Sequence, residues 1–214
     1  MKRRVVVTGL GVVTPLASKV DELFERLLAG ESGVHLLRLF DTSEFKVKFA
    51  GDVRDWNPSD YIDRKEVKRI DRFTQFALVA GADAVADSGL DFSKEQAFRC
   101  GAILGSGIGG LHEIETQMER LLKKGPDRVS AMTIPKLMLN AAGGNLSIRF
   151  GLRGPNYTVA TACASATNAI GDAFKAIQYD DADVMVTGGS EAAVTPMGVS
   201  GFQNMKALSV RNHN

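Results

Sequence analysis

Cysteine is scarce in this 214-residue chain, net charge is nearly absent, and no apolar run is long. The 2 cysteines, Cys100 and Cys163, are too few for a disulfide framework and cannot hold a metal ion by themselves. Their apolar or small-residue surroundings are those of a reduced, intracellular protein. A formal charge of +1 leaves no global basic field for nucleic acid and no acidic field of the kind that keeps a chain solvated. Any charged partner must therefore meet a local patch. The basic start Met1-Lys2-Arg3-Arg4 leads into Val5-Val6-Val7, which soon reaches Gly9 and Gly11. That run is far too short for a signal sequence or a membrane span. The expectation is a soluble, cytoplasmic protein with no membrane contact, no nucleic-acid partner and no metal.

What is present is an ordinary globular composition. Hydrophobic residues at 44% and charged residues at 24% suffice for a sizeable core and exclude a disordered, collagen-like or mucin-like chain. The β-branched run Arg4 to Thr8, broken by Gly9-Leu10-Gly11, predicts a buried strand and a glycine turn. Ser18 is the expected N-cap of a helix carrying Val20, Leu23, Phe24, Leu27 and Leu28, stopped by Gly30. Residues 33–61 read as loops and short strands. A helix is expected from about Asp63 to Asp87, with Lys65, Lys68, Arg69 and Arg72 on one face beside an apolar stripe. Cys100 to Gly105 reads as a buried strand, and Leu111 to Leu122 as a helix ended by Gly125-Pro126. Further helices are expected over Leu137 to Ile148 and Cys163 to Ile177, with strands at Tyr157 to Ala160 and Ala182 to Thr187. Alternating strands and helices predict a layered α/β domain around a mixed, mostly parallel sheet.

Two local features could carry chemistry. Gly105-Ser106-Gly107-Ile108-Gly109-Gly110 has the glycine spacing of a pyrophosphate cradle between a strand and a helix. A dinucleotide site should also place an acidic residue on a strand end about twenty positions later. Here that region is the polar turn Lys124-Gly125-Pro126-Asp127-Arg128, so an NAD(P)-dependent dehydrogenase is a remote alternative, and glycines serving tight turns and close packing explain the loop better. The second feature is Cys163 in Ala160-Thr161-Ala162-Cys163-Ala164-Ser165. A thiol at a strand-to-helix junction sits in the positive potential of a helix N-terminus, which favours the nucleophilic thiolate. Ala162, Ala164 and Ala166 leave room for an acyl substrate beside the sulfur. Cys100, at the head of a buried strand, reads as structural.

The segment Gly154-Pro155, Ala160 to Ser165, and Asp181-Ala182-Asp183-Val184-Met185-Val186-Thr187-Gly188-Gly189-Ser190-Glu191 resembles the active-site region of β-ketoacyl-acyl carrier protein synthases. Arg3 to Gly11, the glycine loop 105–110, Gly201-Phe202, Ala207-Leu208-Ser209 and Arg211-Asn212 match the same family in order and spacing. The resemblance covers essentially the whole chain and looks closest to the type II synthases of dissociated fatty acid synthesis. It implies the N-terminal half, residues 1–214, of a thiolase-like layered fold.

The resemblance implies that Cys163 takes an acyl chain from acyl carrier protein as a thioester. Malonyl-carrier protein then decarboxylates, and its carbanion attacks the thioester in a Claisen condensation. The backbone amide of Cys163 would donate to the oxyanion. No cofactor is implied. The family's two histidines and lysine lie in a second half of the chain, and His35, His112 and His213 do not match them. They read as surface or loop residues, and the chain as given is expected to be inactive in condensation. Gly107, Ile108, Ala162, Ala193, Gly198 and Phe202 are implied to line the acyl pocket, with Thr133 where related enzymes place an aromatic across a dimer. Lys65, Lys68 and Arg69, with Arg128 and Lys206 as additions, would receive the acidic carrier protein. A homodimer is implied too. Within the superfamily, a polyketide-type ketosynthase or a chain-length factor remains an alternative, although the latter typically lacks the cysteine.

Overall fold

The strand Cys100–Gly105 (β3) is the centre of the fold because its residues serve two faces at once. In the computed structural model, which describes residues 3–212, Cys100, Ala102 and Leu104 turn toward one helical layer and Ile103 toward the other. This is the period-two pattern of a strand buried on both sides. β3 pairs in parallel with Asn156–Val159 (β4) on one side and Val184–Gly189 (β5) on the other. All three strands of this sheet run parallel, in line with the mostly parallel sheet expected. The helix Ser165–Gln178 (α7) packs Ala169 and Ala173 on the Ile103 face. The opposite layer is Arg72–Ser88 (α3) and Ala141–Phe150 (α6), whose Phe73, Leu78 and Leu146 meet Leu104.

The remaining elements surround this sandwich. Val20–Leu28 (α1) precedes a small antiparallel pair, His35–Leu36 (β1) with Phe49–Ala50 (β2). Arg64–Val67 (α2) leads to α3, Leu111–Lys124 (α4) follows β3, Thr133–Leu137 (α5) precedes α6, and Pro196–Asn204 (α8) follows β5. No helix among the described residues is long and apolar enough to cross a membrane.

Several expectations are corrected. The helix expected over residues 63–87 breaks at Lys68–Asp71 into α2 and α3. Buried Asp71 causes the break, because one carboxylate oxygen caps the Phe73 amide (3.3 Å) and the other accepts from the Glu113 amide of α4 (3.0 Å). Arg72 consequently leaves the basic face: its guanidinium donates to the Val53 carbonyl and lies over the rings of Trp56 and Phe76. Residues 4–8 form no strand, and Val6 and Val7 are exposed. A gap lined by Val5–Leu10, α7 and β5 keeps this segment off the sheet edge. Its ends are tied instead, Arg3 to Asp180 and Asp183 and the Leu10 amide to Asp87. Lys19, not Ser18, caps α1 without a side-chain bond. The helix expected over 137–148 is two helices, with Met138 extended between them.

Candidate active site

Parallel register brings the carboxyl ends of the three strands to one edge, since Gly105 pairs with both Val159 and Gly189. Ligand sites in parallel α/β sheets form at that edge. Three loops leave it: the glycine loop to α4, the turn to α7 that carries Cys163, and Ser190-Glu191 after β5.

The cysteine turn is tightly held. Ala162, just before Cys163, has φ +52°, a left-handed conformation that an L-residue adopts only at some cost. Buried Ser165 secures it: its hydroxyl donates to the Ala162 carbonyl (2.7 Å) and accepts from the Thr161 amide (2.9 Å). A 3-10 turn over Ala162–Ala164 then enters α7, so the expected helix start at Cys163 is a tighter turn. The Cys163 amide lies in that first turn, where N–H groups have no intrahelical acceptor. Gly105 allows α7 to come this close, because a β-carbon there would lie 2.3 Å from the backbone carbonyl of Ser165. Cys163 is exposed, whereas Cys100 is buried and its thiol is pushed above the usual range, first by burial and then by Glu95 and Asp183.

The glycine loop has an internal anion. Glu191 Oε2 accepts from the amides of Gly107 (2.7 Å) and Ile108 (3.1 Å), and Oε1 from the Ser106 hydroxyl (3.3 Å). Ser106 Oγ in turn accepts from the Gly109 amide (3.2 Å). Gly109 has φ +71° and rests against the Leu137 carbonyl, which suits glycine. The amides that a pyrophosphate would need therefore serve a carboxylate of this chain, which counts against the dinucleotide alternative. Glu191 stands in the family-like motif after β5, but this role is not legible there, because its partner Gly107 lies 84 residues away. The available signal was an amide-rich turn without the acidic partner of a nucleotide site.

The predicted pocket residues are placed in two groups. Gly107 lies beside Ala162, whose carbonyl would be 3.6 Å from a β-carbon at 107. Ile108 lines an open groove of ≈ 640 Å³ with Ile114, Leu137, Leu139 and Tyr157. Ala193 lines a separate cavity of ≈ 520 Å³ that also includes Glu191 and Arg72. Gly198 packs against the Ala193 carbonyl and the Leu111 side chain at the start of α8, and Phe202 on α8 is 39% exposed. Lys65, Lys68 and Arg69 are exposed around the α2–α3 break, and Lys65 and Arg69 border a groove of ≈ 610 Å³ with Met132, Pro135 and Ile148. Arg128 and Lys206 are exposed elsewhere, and Thr133 opens α5.

His112 is exposed on α4, but His35 is only 25% exposed, drawn in beside the buried Asp52 (2.8 Å), so it is not a surface residue. His213 lies outside the described residues. No cluster of three or more His, Cys, Asp or Glu side chains that could hold a metal is found among the described residues.

Comparison with known proteins adds to this geometry. The family model "Beta-ketoacyl synthase, N-terminal domain" matches residues 2–214. The chain is 46% identical over 211 residues to "3-oxoacyl-[acyl-carrier-protein] synthase 2" of Vibrio cholerae serotype O1, covering 99% of this chain and 51% of the relative. A Staphylococcus aureus protein of the same name is 44% identical over 210 residues, covering 98% and 51%. The chain thus spans about half the length of the curated relatives it matches. Among solved structures, a β-ketoacyl synthase from Burkholderia phymatum STM815 superposes with TM-score 0.84 at 29% identity, covering 99% of this chain and 52% of that one. The ishigamide ketosynthase/chain length factor gives TM-score 0.90 at 27% identity, covering 98% and 52%. The layered fold is thus the thiolase-like fold of ketosynthases.

Proposed function

Because the chain belongs to the β-ketoacyl synthase family, as its N-terminal domain, we propose that it supplies the nucleophile of an acyl carrier protein-dependent condensing enzyme of fatty acid synthesis. The observation that carries this reading is the exposed thiol of Cys163 on a constrained turn at the carboxyl edge of the sheet, flanked by alanines. The Cys163 thiolate attacks the carbonyl of an acyl-carrier thioester; the new C–S bond holds the acyl group and the carrier's thiolate leaves, taking up a proton. Malonyl-carrier protein loses carbon dioxide, and its carbanion attacks the acyl-Cys163 carbonyl and expels the thiolate. The Cys163 amide stabilises the oxyanion of each addition.

The family's decarboxylating groups, two histidines and a lysine, are not matched by His35, His112 or His213. The 214-residue chain is accordingly expected to accept an acyl group without condensing it. Lys65, Lys68 and Arg69 offer exposed positive charge to the acidic carrier protein. Pairing of two copies into a homodimer belongs to the same reading. Polyketide ketosynthases share the fold, but the curated relatives at 44–46% identity carry the name 3-oxoacyl-[acyl-carrier-protein] synthase 2, and Cys163 argues against a chain-length factor.

The test is labelling with an acyl-mimetic electrophile such as cerulenin. Cys163 should be modified and Cys163→Ala should abolish the label. A label that persists in that variant, or that maps to Cys100, refutes the assignment.

A further inference from the structure

We propose that Glu191 is a positioning residue. Its carboxylate fixes the glycine loop against the Cys163 turn and so sets the path by which a long acyl chain approaches the sulfur. The proposal rests on the condensing-enzyme reading for the identity of that chain, and on geometry alone for the fixing of the loop.

The loop and the carboxylate come from different strands. Glu191 follows β5 and the loop follows β3, and backbone bonds hold the two ends of the loop: the Ser190 amide donates to the Gly105 carbonyl (3.0 Å), the Ser106 amide to the Val159 carbonyl (3.2 Å) and the Gly110 amide to the Leu137 carbonyl (3.2 Å). At the tip, the Gly107 and Ile108 amides both go to Glu191 Oε2, and the Gly109 amide reaches it indirectly through Ser106 Oγ. One carboxylate thus orients every peptide from Ser106 to Gly109. Hydrogen bonds to a charged acceptor are about twice as strong as neutral ones, so this anchor outweighs any single neutral bond in the loop.

The anchored loop adjoins the Cys163 turn at Gly107 and a groove at Ile108. The backbone of Gly107 fills the space between Glu191 and Ala162: a β-carbon at 107 would lie 3.1 Å from the carboxylate and 3.6 Å from the Ala162 carbonyl. Gly107 thus lies next to the residue before Cys163. The neighbouring Ile108 forms one wall of the ≈ 640 Å³ groove with Ile114, Leu137, Leu139 and Tyr157. Released from Glu191, Ile108 would swing with its peptide and the wall would lose its position. Small reagents would still reach the exposed Cys163, but a long chain would lose its guide.

The experiment compares the wild-type chain with Glu191→Ala and Glu191→Gln. Alkylation of Cys163 is followed with iodoacetamide and with N-octyl iodoacetamide, and amide exchange at Gly107 and Ile108 is followed by NMR. Exchange in Glu191→Ala should rise about tenfold or more at both amides, as for the loss of a charge-assisted bond. Its octyl-to-parent rate ratio should fall about tenfold, by the same argument. Formate, diffusing into the vacated nest, should reverse both changes, and Glu191→Gln, which keeps an acceptor oxygen, should retain most of the wild-type behaviour. Unchanged exchange in Glu191→Ala overturns the proposal. So does a lowered ratio that neither formate nor the glutamine variant restores. If the wild-type chain shows no octyl preference while exchange still responds to Glu191, the acyl-path half of the proposal and the acyl-pocket reading fail together, and the anchoring of the loop stands.

Discussion

Replacement of Gly105 by alanine tests whether close packing of α7 on β3 is what places the Cys163 turn. The added β-carbon would lie 2.3 Å from the carbonyl carbon and oxygen of Ser165 and 2.5 Å from the Ala166 amide nitrogen. These are backbone atoms, so no rotamer change relieves the overlap. Carbon atoms make optimal contact at about 3.5–4.0 Å, and the start of α7 would have to retreat by roughly 1 Å. Overpacking of this kind costs about 1–3 kcal/mol, and the upper end applies where only backbone can move. For a domain of this size, about 3 kcal/mol lowers the melting temperature by roughly 6–12 °C. Gly171, within α7 itself, is the control, because a β-carbon there meets nothing within 4 Å. Gly171→Ala should raise stability by about 0.5–1 kcal/mol by restricting the unfolded chain. Thermal melts of both variants, with Cys163 alkylation rates at a temperature where both are folded, provide the assay. A Gly105→Ala chain that melts at or above the wild type with an unchanged alkylation rate refutes the reasoning.

Other outcomes follow from the same structure. Leu146→Ala empties a fully buried position in the α3–α6 layer and should cost about 2–5 kcal/mol in urea denaturation. Burial raises the Asp71 carboxyl above its ordinary range, against the pull of its bonds to the Phe73 and Glu113 amides. The folded state therefore binds this proton more tightly than the unfolded chain, and the Asp71 contribution to stability falls as pH rises from about 4, the unfolded value, through the raised folded one. Asp71→Asn should lack that slope, so wild-type stability minus variant stability should decrease between acid and neutral pH; urea midpoints that move in parallel would contradict it. Charge reversal at Lys65 and Arg69 should weaken carrier-protein binding by about tenfold at low salt, less at high salt, and leave reaction with small thioesters unchanged. Equal effects on both substrates would count against docking.

The helices and strands around the site were legible because their signals are local. The strand Cys100–Gly105 and the helix Leu111–Lys124 fall where apolar pattern and the Gly125-Pro126 stop place them. Cys163 was legible as a nucleophile candidate for the same reason, since a strand-to-helix junction is visible in a dozen residues. Other features depended on distant partners. Residues 4–8 have the composition of a strand, but composition does not provide a neighbouring edge, and the segment hangs off the sheet between its two anchored ends. The long helix expected through residues 68–71 obeyed periodicity until Asp71, whose second oxygen is claimed by Glu113, 42 residues away.

The sequence by itself determined the alternating α/β plan, the position of Cys163 at a strand-to-helix junction and the family, because each rests on short-range pattern or on motifs in order. Only the tertiary structure decided what fills the amide nest of the glycine loop. Glu191 and Gly107 are 84 residues apart, and parallel pairing of Gly105 with Gly189 brings their loops within hydrogen-bond reach. Strand register is set by the packed layers on both faces of the sheet, so no window of sequence around either loop contains it.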